Sequence, residues 1–372
     1  MRRPGAFGES RGRIVSQVAE ELPQARGTAP PTGQSPARPG APTILLVLGM
    51  HRSGTSALAG LLSRIGAEGP RDAIAANEGN RRGHFEPRRI VHEHDRILAE
   101  MGQDWSDWWR LDPAQFASAR AGEWAARLAE LVRQDFSLGR PMVVKDPRAC
   151  RLVPLWRRVA PLLGAELRVL LTWRHPAEVT ASLTRRDGIA PAGAGLAWLR
   201  YTVDAERETR GLRRVALDYD ELLADWRAAA RRIEATLQVP LATSGPEAAA
   251  AEGFVSSDLR RERGGPREAV EGWIADALRA LEALRNDPAD PEATAMMDRL
   301  ARGLDGDAEA GWPELPAAGR KAAIAGLEHA RRLTVRSHLR LALQAWARNG
   351  GTLRHAIADR VITLAQRVPP RP

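Results

Sequence analysis

A buried strand that runs through a glycine turn into a helix constrains this chain more than any other stretch. Residues 44–48 (ILLVL) are consecutively apolar and partly β-branched, which predicts a strand covered on both faces. The turn GMHRSGTS at residues 49–56 holds two glycines five positions apart. Apolar residues recur at helical spacing over residues 58–65, and Gly66 would end that helix. This stretch predicts the first strand–helix unit of an α/β domain.

Such a turn is typical of phosphate binding, because successive backbone N–H groups point inward and the helix N-terminus favours an anion. A loop for a nucleoside triphosphate would continue after its second glycine with Lys and then Ser or Thr. Here Thr55 and Ser56 follow Gly54, and the cation comes earlier, at Arg52. We therefore predict a phosphate site built for a ligand other than a triphosphate. The alternative is an ordinary strand–helix connection without a ligand.

The size and charge of the chain favour a large domain with anionic ligands. Its 372 residues, of which 44% are hydrophobic, fit one large domain or a domain with an extension. The net charge is +9, and the only lysines are Lys145 and Lys321. Arginine presents a rigid fork that binds phosphate, sulfate and carboxylate, so anions are the expected partners. No nucleic-acid-binding module is recognisable, so no nucleic acid is predicted.

The sequence also excludes several other classes of protein and kinds of site. No apolar segment is long enough to span a bilayer, and the first 13 residues lack the apolar core of a signal peptide, which predicts a cytoplasmic protein. The single cysteine, Cys150, excludes an intrachain disulfide and is interpreted as a small buried hydrophobic residue. His92 and His94 do not share a helix face and have no clear carboxylate partner, so no metal is predicted.

Three segments follow one another along the chain. Residues 1–42 are rich in Pro, Gly, Arg and Ser, which predicts a disordered arm. Over residues 43–265 strands alternate with helices, which predicts a three-layer α/β domain with a central parallel sheet. Residues 266–372 predict only amphipathic, basic helices, which could pack on the core, form an oligomer interface or lie on a membrane surface. The predicted strands are 43–48, 142–145, 167–173 and 214–217, and the predicted helices are 58–65, 88–101, 114–136, 152–163, 176–186, 192–210 and 218–237.

Two predicted loops flank the phosphate turn. Residues 70–87 are rich in turn-forming residues and arginines, which indicates an irregular loop over the site. A second segment clusters Trp105, Trp108 and Trp109. These rings could form a platform for a sugar, but we favour the interpretation that the indoles fix the loop to the core.

A second anion site is predicted at the ends of two later strands. Residues 145–148 (KDPR) follow the second strand and Arg174 follows the third, at the edge where open α/β sheets bind ligands. Pro176 starts the next helix, and Ser182 lies about two turns into it. Arg174 and Ser182 could together bind a phosphate through charge-assisted hydrogen bonds. The pair alone is a weak signal, but beside the glycine turn it is informative.

Together these two motifs resemble those of sulfotransferases. HRSGTS at residues 51–56 is similar to their loop for the 5′-phosphosulfate, and RHPAEVTAS at residues 174–182 is similar to their 3′-phosphate motif. The segments GHFE, KDPR and LDYDEL also recur at similar relative places in the family, so the resemblance covers about residues 43–265. It implies a P-loop fold, the donor 3′-phosphoadenosine 5′-phosphosulfate, and metal-free transfer of a sulfuryl group to a hydroxyl or an amine of a carbohydrate or small metabolite.

The resemblance divides the donor-binding residues between two phosphates. Loop N–H groups and the hydroxyls of Ser53 and Thr55 would hold the 5′-phosphate, while Arg174 and Ser182 would hold the 3′-phosphate. The missing lysine fits this donor, which has no γ-phosphate. Arg52 stands where many relatives have lysine, and it would stabilise charge on the bridging oxygen and the leaving phosphate. The implied donor-binding set is Arg52, Ser53, Gly54, Thr55, Ser56, Arg174 and Ser182.

The acceptor must lose a proton, which requires a general base within hydrogen-bond reach. Glu86 is the first choice, because a glutamate at this place resembles the base of carbohydrate sulfotransferases, and Asp146 and His84 are the alternatives. Glu86 could instead cap the following helix or pair with an arginine at 81–82. With Arg52 and Glu86, Lys145 completes the predicted catalytic set.

Lys145 and Arg148 would orient the sulfonate or the acceptor, although both could be structural. Two rival functions stay open. A P-loop kinase or NTPase would use residues 143–146 as a poor Walker B strand, but the lysine expected after Gly54 is absent. A non-catalytic binding protein would keep the fold and act through its basic helices. The acceptor itself depends on loops whose shape the sequence does not specify.

Overall fold

The computed structural model describes residues 41–76, 83–255, 270 and 272–305. In this part of the chain a four-stranded parallel sheet has the strand order β2-β1-β3-β4. The strands are β1 (Thr43–Leu48), β2 (Met142–Lys145), β3 (Glu166–Trp173) and β4 (Arg213–Asp218). The predicted α/β fold and its four parallel strands are confirmed.

Helices connect the strands and cover both faces of the sheet. In the described part of the chain they are α1 (Thr55–Leu62), α2 (Arg88–Glu100), α3 (Pro113–Ala117), α4 (Ala119–Asp135), α5 (Ala149–Leu162), α6 (Pro176–Asp187), α7 (Pro191–Glu208), α8 (Tyr219–Ala224), α9 (Trp226–Leu237), α10 (Gly245–Glu252), α11 (Gly272–Asn286) and α12 (Pro291–Asp305). No helix among these residues is both long and apolar enough to cross a bilayer.

The alternation of side chains along β1 produces the three layers. Ile44, Leu46 and Leu48 belong to one apolar cluster, with residues of α2, α4, α5 and α7, while Leu45 and Val47 belong to a second cluster, with residues of α1 and α9. All five side chains are fully buried. Because successive strand residues point to opposite faces, a continuous apolar run is what a doubly covered strand requires. The loops that follow the four strands therefore meet at one edge of the sheet.

Two helices that the sequence predicted as continuous are each divided by a capping residue. Ser118 has extended φ and ψ of −71° and 161°, and its hydroxyl accepts a hydrogen bond from the backbone N–H of Ala121. The Asp225 carboxylate likewise accepts from the backbone N–H of Ala228 at 2.9 Å. Each side chain accepts from a backbone N–H group at the start of the next helix, in place of a backbone carbonyl of a continuous helix. The predictions of single helices over 114–136 and 218–237 were therefore wrong.

The helices α11 and α12, which come from the predicted C-terminal segment, pack on β4 and α7. Arg200 of α7 is fully buried and donates to the Asp305 carboxylate at 2.5 Å. Arg214 of β4 donates to the backbone carbonyl of Pro288 at 2.6 Å. The predicted arm up to residue 40, the loop residues 77–82 and the predicted helices beyond residue 305 lie outside the described residues.

Candidate active site

The glycine loop between β1 and α1 turns sharply at two positions that have no room for a side chain. A Cβ atom on Gly49 would lie 2.3 Å from the carbonyl oxygen of Thr172 in β3. Gly54 has a φ of 84°, and a Cβ atom there would lie 2.2 Å from the ring of Tyr219, the first residue of α8. The loop backbone is thus held directly against the chain that ends β3 and begins α8.

Two hydroxyl groups beside the loop are buried and have no hydrogen-bond partner among the described residues, Ser53 Oγ and Thr172 Oγ1. The first turn of α1 contains no acidic residue, and no side chain caps its N-terminus at Gly54. Buried polar atoms in native proteins are nearly always hydrogen-bonded, so these two need an explanation outside the fold. A hydroxyl and a helix N-terminus both suit a phosphate, and the residues present therefore fit this group.

The two anion-binding motifs predicted from the sequence meet in the structure. Arg52 has a left-handed φ of 71°, and its Nε donates to Ser182 Oγ in α6 at 2.8 Å. Ser182 is fully buried and lies 130 residues further along the chain. The cation of the glycine loop is therefore hydrogen-bonded to the serine of the second motif.

Arg174, at the end of β3, lies between an acid and an aromatic ring. Its Nε donates to Glu178 Oε2 at 2.5 Å, and both side chains are 5% exposed. Its guanidinium carbon lies 5.5 Å from the centroid of the Tyr219 ring, which is the ring that contacts Gly54. One aromatic side chain thus separates Arg174 from the glycine loop, and Glu178 orients the guanidinium.

Lys145, the last residue of β2, reaches the first turn of α1. Its Nζ forms an ion pair with Glu86 and donates to Ser56 Oγ at 3.1 Å and to the His84 carbonyl oxygen at 3.3 Å. The Lys145 and Glu86 side chains are only 3% and 9% exposed. Glu86 is therefore paired with Lys145 and does not cap α2. The arginines at 81–82 lie outside the described residues.

Asp146 is fully buried, and both of its carboxylate oxygens accept hydrogen bonds. Oδ2 accepts from His94 Nδ1 at 2.7 Å, and Oδ1 accepts from Arg148 at 2.9 Å. The indole of Trp156 donates to His94 Nε2 at 3.2 Å, which leaves the histidine proton on Nδ1 because an indole N–H can only donate. Burial would raise the pKa of Asp146, but Arg148 and His94 outweigh it and hold this pKa well below its usual range. Asp146, one of the alternative candidate bases, is therefore enclosed by its hydrogen-bond partners.

Two histidines whose pKa is lowered by burial lie in or beside the loop. The imidazole of His51 packs against Trp105 with ring centroids 4.6 Å apart, and its Nε2 is buried without a hydrogen-bond partner among the described residues. Burial first, and then the charges of Arg148 and Arg186, lower the pKa of His51 well below its usual value. Burial also lowers the pKa of His84. His84 was a candidate from the sequence but His51 was not, because the only signal of His51 was its place inside the loop.

The three tryptophans differ in their exposure. Trp108 is buried and stacks on Trp109 with centroids 4.0 Å apart, while Trp109 is 37% exposed. Trp105 is partly buried against the core, and its carbonyl accepts a hydrogen bond from the Tyr201 hydroxyl at 2.6 Å. The segment is therefore fixed to the core as favoured above, and Trp105 also contacts the glycine loop through His51.

The single cysteine has a structural partner, and the described residues form no metal cluster. Cys150 is buried as predicted, and its Sγ accepts a hydrogen bond from the Gly49 N–H at 3.1 Å. Burial raises the pKa of this thiol, which keeps it protonated at neutral pH. Within the described residues, no group of three or more His, Cys, Asp or Glu side chains is placed to hold a metal ion.

No protein-family model matches the chain, and no curated protein matches it either. Solved structures similar to it include the sulfotransferase domain from the Synechococcus PCC 7002 olefin synthase (18% identity, 74% of this chain and 98% of that chain, TM-score 0.38). Another is the sulfotransferase domain from the curacin biosynthetic pathway, with 17% identity over 72% of this chain and 98% of that chain and a TM-score of 0.34. A third is the sulfotransferase STF1 from Mycobacterium tuberculosis H37Rv, with 16% identity over 57% of this chain and 70% of that chain and a TM-score of 0.33. Similarities this low identify no activity.

Proposed function

We propose that the chain is a sulfotransferase that moves the sulfuryl group of 3′-phosphoadenosine 5′-phosphosulfate to a hydroxyl or amine of a carbohydrate or another small metabolite. The observation that carries the proposal is the 2.8 Å hydrogen bond from Arg52 to Ser182. It joins the glycine loop to the segment that begins at Arg174, so cationic groups from two motifs flank one helix N-terminus. A nucleotide with separate 5′- and 3′-phosphates suits this arrangement, whereas ATP carries all its phosphates at one end.

Each phosphate has its own set of residues in this proposal. The loop N–H groups and the hydroxyls of Ser53 and Thr55 would bind the 5′-phosphate, which would give the buried Ser53 hydroxyl a partner. Arg174 and Ser182 would bind the 3′-phosphate through charge-assisted hydrogen bonds. The Tyr219 ring lies between the loop and Arg174, and it would separate the two phosphate contacts.

The donor supplies the activated sulfuryl group, and the chain supplies position and charge. Arg52 in the loop and Lys145, which donates to Ser56, place two cations beside the first turn of α1. There they would stabilise the negative charge that develops on the leaving phosphate. Glu86 stays a candidate base, and its ion pair with Lys145 holds it beside this same turn.

One observation favours a nucleoside triphosphatase or kinase as a second candidate. Lys145 donates to Ser56 Oγ from the end of β2, so its ammonium group lies beside the serine that takes the position of the Walker Ser or Thr. Asp146 would have to hold magnesium in such an enzyme, but its carboxylate is fully buried and hydrogen-bonded to His94 and Arg148. This second candidate therefore has a cation but not the carboxylate that it needs.

Calorimetric binding of two nucleotides tests the proposal against this candidate. We expect adenosine 3′,5′-bisphosphate to bind much more tightly than ATP, with no effect of magnesium. Tight, magnesium-dependent binding of ATP would instead favour the triphosphatase or kinase.

A second assay distinguishes an enzyme from a non-catalytic binding protein. Transfer of ³⁵S-labelled sulfuryl groups would be measured across a panel of sugars, phenols and aliphatic alcohols. We expect transfer to at least one acceptor, and binding of the nucleotide without any transfer would support the non-catalytic alternative. A carbohydrate acceptor, a cytoplasmic location and self-association through the C-terminal helices stay predictions.

A further inference from the structure

His51 lies in the glycine loop directly before Arg52, the residue that would stabilise the leaving phosphate. Arg174, Ser182 and Tyr219 follow β3 or β4, so the adenosine and its 3′-phosphate would extend toward those strands. The charged groups that act on His51 come from both sides of β1. They are Lys145, Asp146 and Arg148, at the end of β2 or just after it, and Arg186 in α6, which follows β3. Because the neighbouring Arg52 would stabilise the leaving phosphate, His51 would lie close to the place where the sulfuryl group and the acceptor meet.

We propose that His51 Nε2 accepts the proton of the acceptor hydroxyl during sulfuryl transfer, a role that rests on the sulfotransferase function proposed above. This nitrogen is buried and has no hydrogen-bond partner among the described residues. The imidazole contacts two aromatic rings, Trp105 at 4.6 Å and Tyr201 at 6.3 Å between centroids. The Tyr201 hydroxyl is already used by the Trp105 carbonyl. The fold therefore holds the ring in place but gives Nε2 no structural task.

The groups that surround His51 keep it in the form that can accept a proton. Arg148 and Lys145 come from the end of β2 and the turn after it, Arg186 comes from α6, and Asp146 supplies the opposing negative charge. Tyr201 of α7 stays neutral, because burial raises the pKa of its hydroxyl well above the usual value. Burial and three cations against one anion favour the neutral imidazole at pH 7.

Two of the other candidate bases have partners that His51 lacks, whereas His84 Nε2 is likewise buried without a hydrogen-bond partner among the described residues. Glu86 forms a buried ion pair with Lys145, and both oxygens of Asp146 accept hydrogen bonds. A base must be able to form a new hydrogen bond to the acceptor, which the unpartnered His51 Nε2 can do. Since this atom is shielded from water, either the imidazole or the Trp105 indole that packs on it has to shift when an acceptor enters.

The step balances with one acceptor and one donor. The acceptor oxygen forms a bond to sulfur while the bond between sulfur and the oxygen of the 5′-phosphate breaks. The electrons of the broken bond leave with the phosphate, which gives adenosine 3′,5′-bisphosphate. The hydroxyl proton passes to His51 Nε2 and from there to solvent. No oxidant, reductant or metal enters this balance.

A histidine titration tests the inference without any acceptor. Protein labelled with ¹⁵N-histidine would be followed by NMR from about pH 5 to pH 8, with the His51 signal assigned from the His51→Gln variant. We expect an unprotonated Nε2 at pH 7 and a pKa below about 6.5. Adenosine 3′,5′-bisphosphate should raise this pKa by about 1 or more, because its 5′-phosphate would bring negative charge beside the ring. The exposed His92 supplies the reference signal, which the nucleotide should leave unchanged.

Kinetics with the best acceptor of the panel supply the second readout. His51→Gln should lower kcat by about 10²- to 10⁴-fold and remove the decline of kcat in acid, with unchanged affinity for adenosine 3′,5′-bisphosphate. His92→Gln should behave as wild type. The inference is overturned if the nucleotide binds without changing the His51 pKa, or if Glu86→Gln or His84→Gln removes the acid decline and His51→Gln does not. Failure of the wild type to bind the nucleotide would instead refute the proposed function.

Discussion

Arg174 provides the sharpest test of the second phosphate contact. The simple change to alanine would leave the Glu178 carboxylate buried without its partner, which costs about 3–5 kcal/mol of folding stability. The double variant Arg174→Met, Glu178→Gln removes both charges and keeps the side-chain volume. Because Arg174 is 5% exposed, solvent screens its contacts little, and a lost charge-assisted hydrogen bond is worth about 1.5–3 kcal/mol. We therefore expect the affinity for adenosine 3′,5′-bisphosphate to fall about 10- to 150-fold.

The matched ligand is AMP, which has the 5′-phosphate but no 3′-phosphate. Isothermal titration calorimetry should show that the double variant binds AMP as the wild type does. The single variant Glu178→Gln is the protein control, because its amide oxygen can still accept from Arg174, and it should keep the affinity for the bisphosphate. Equal losses for both ligands would mean that Arg174 acts on the loop or on the fold. No loss for either ligand would place the 3′-phosphate elsewhere.

Two further changes test the loop and the buried network. Gly54→Ala forces a Cβ atom into the Tyr219 ring at a φ of 84°, so urea unfolding should show a loss of at least about 1–3 kcal/mol, and nucleotide affinity should fall with it. Asp146→Asn breaks a buried charge pair and should cost about 3–5 kcal/mol at pH 7. The pKa of Asp146 is lowered in the folded state, so its carboxylate contributes fully to the free energy of unfolding above about pH 4, and this contribution is lost as the pH falls below that. In urea unfolding, the difference in free energy between wild type and variant should therefore become smaller in acid.

The strands of the sheet could be predicted because each one has an apolar run in its own sequence. The apolar run of β1 needs only its own residues to indicate burial on both faces, and the other three strands have similar runs. Helix ends were less predictable. The apolar periodicity continues through Ser118 and Asp225, but each side chain binds the N–H of a residue three positions later and breaks the helix there. Apolar periodicity indicates which face of a helix is buried, whereas each of these helix ends depends on a single side-chain hydrogen bond.

The candidate site was predictable only as a set of motifs. The glycine spacing and the arginine at the end of β3 indicated which residues should meet, and the contact between Arg52 and Ser182 brings the two motifs together. The partners of those residues did not follow from sequence. Glu86 and Lys145 are 59 residues apart, and His51 acquires its environment from three different elements. Such pairings depend on how the helices cross the sheet, which no local pattern specifies.

Two buried arginines join α11 and α12 to the α/β domain. Arg200 is fully buried in α7 and reaches Asp305 at the end of α12, and Arg214 of β4 reaches the Pro288 carbonyl between α11 and α12. Removal of these two helices would expose apolar surface on α7 and would leave both guanidinium groups without these acceptors, and stranding a buried charge in this way is strongly destabilising. The packed core thus includes residues of α11 and α12, which follow the change in composition near residue 265.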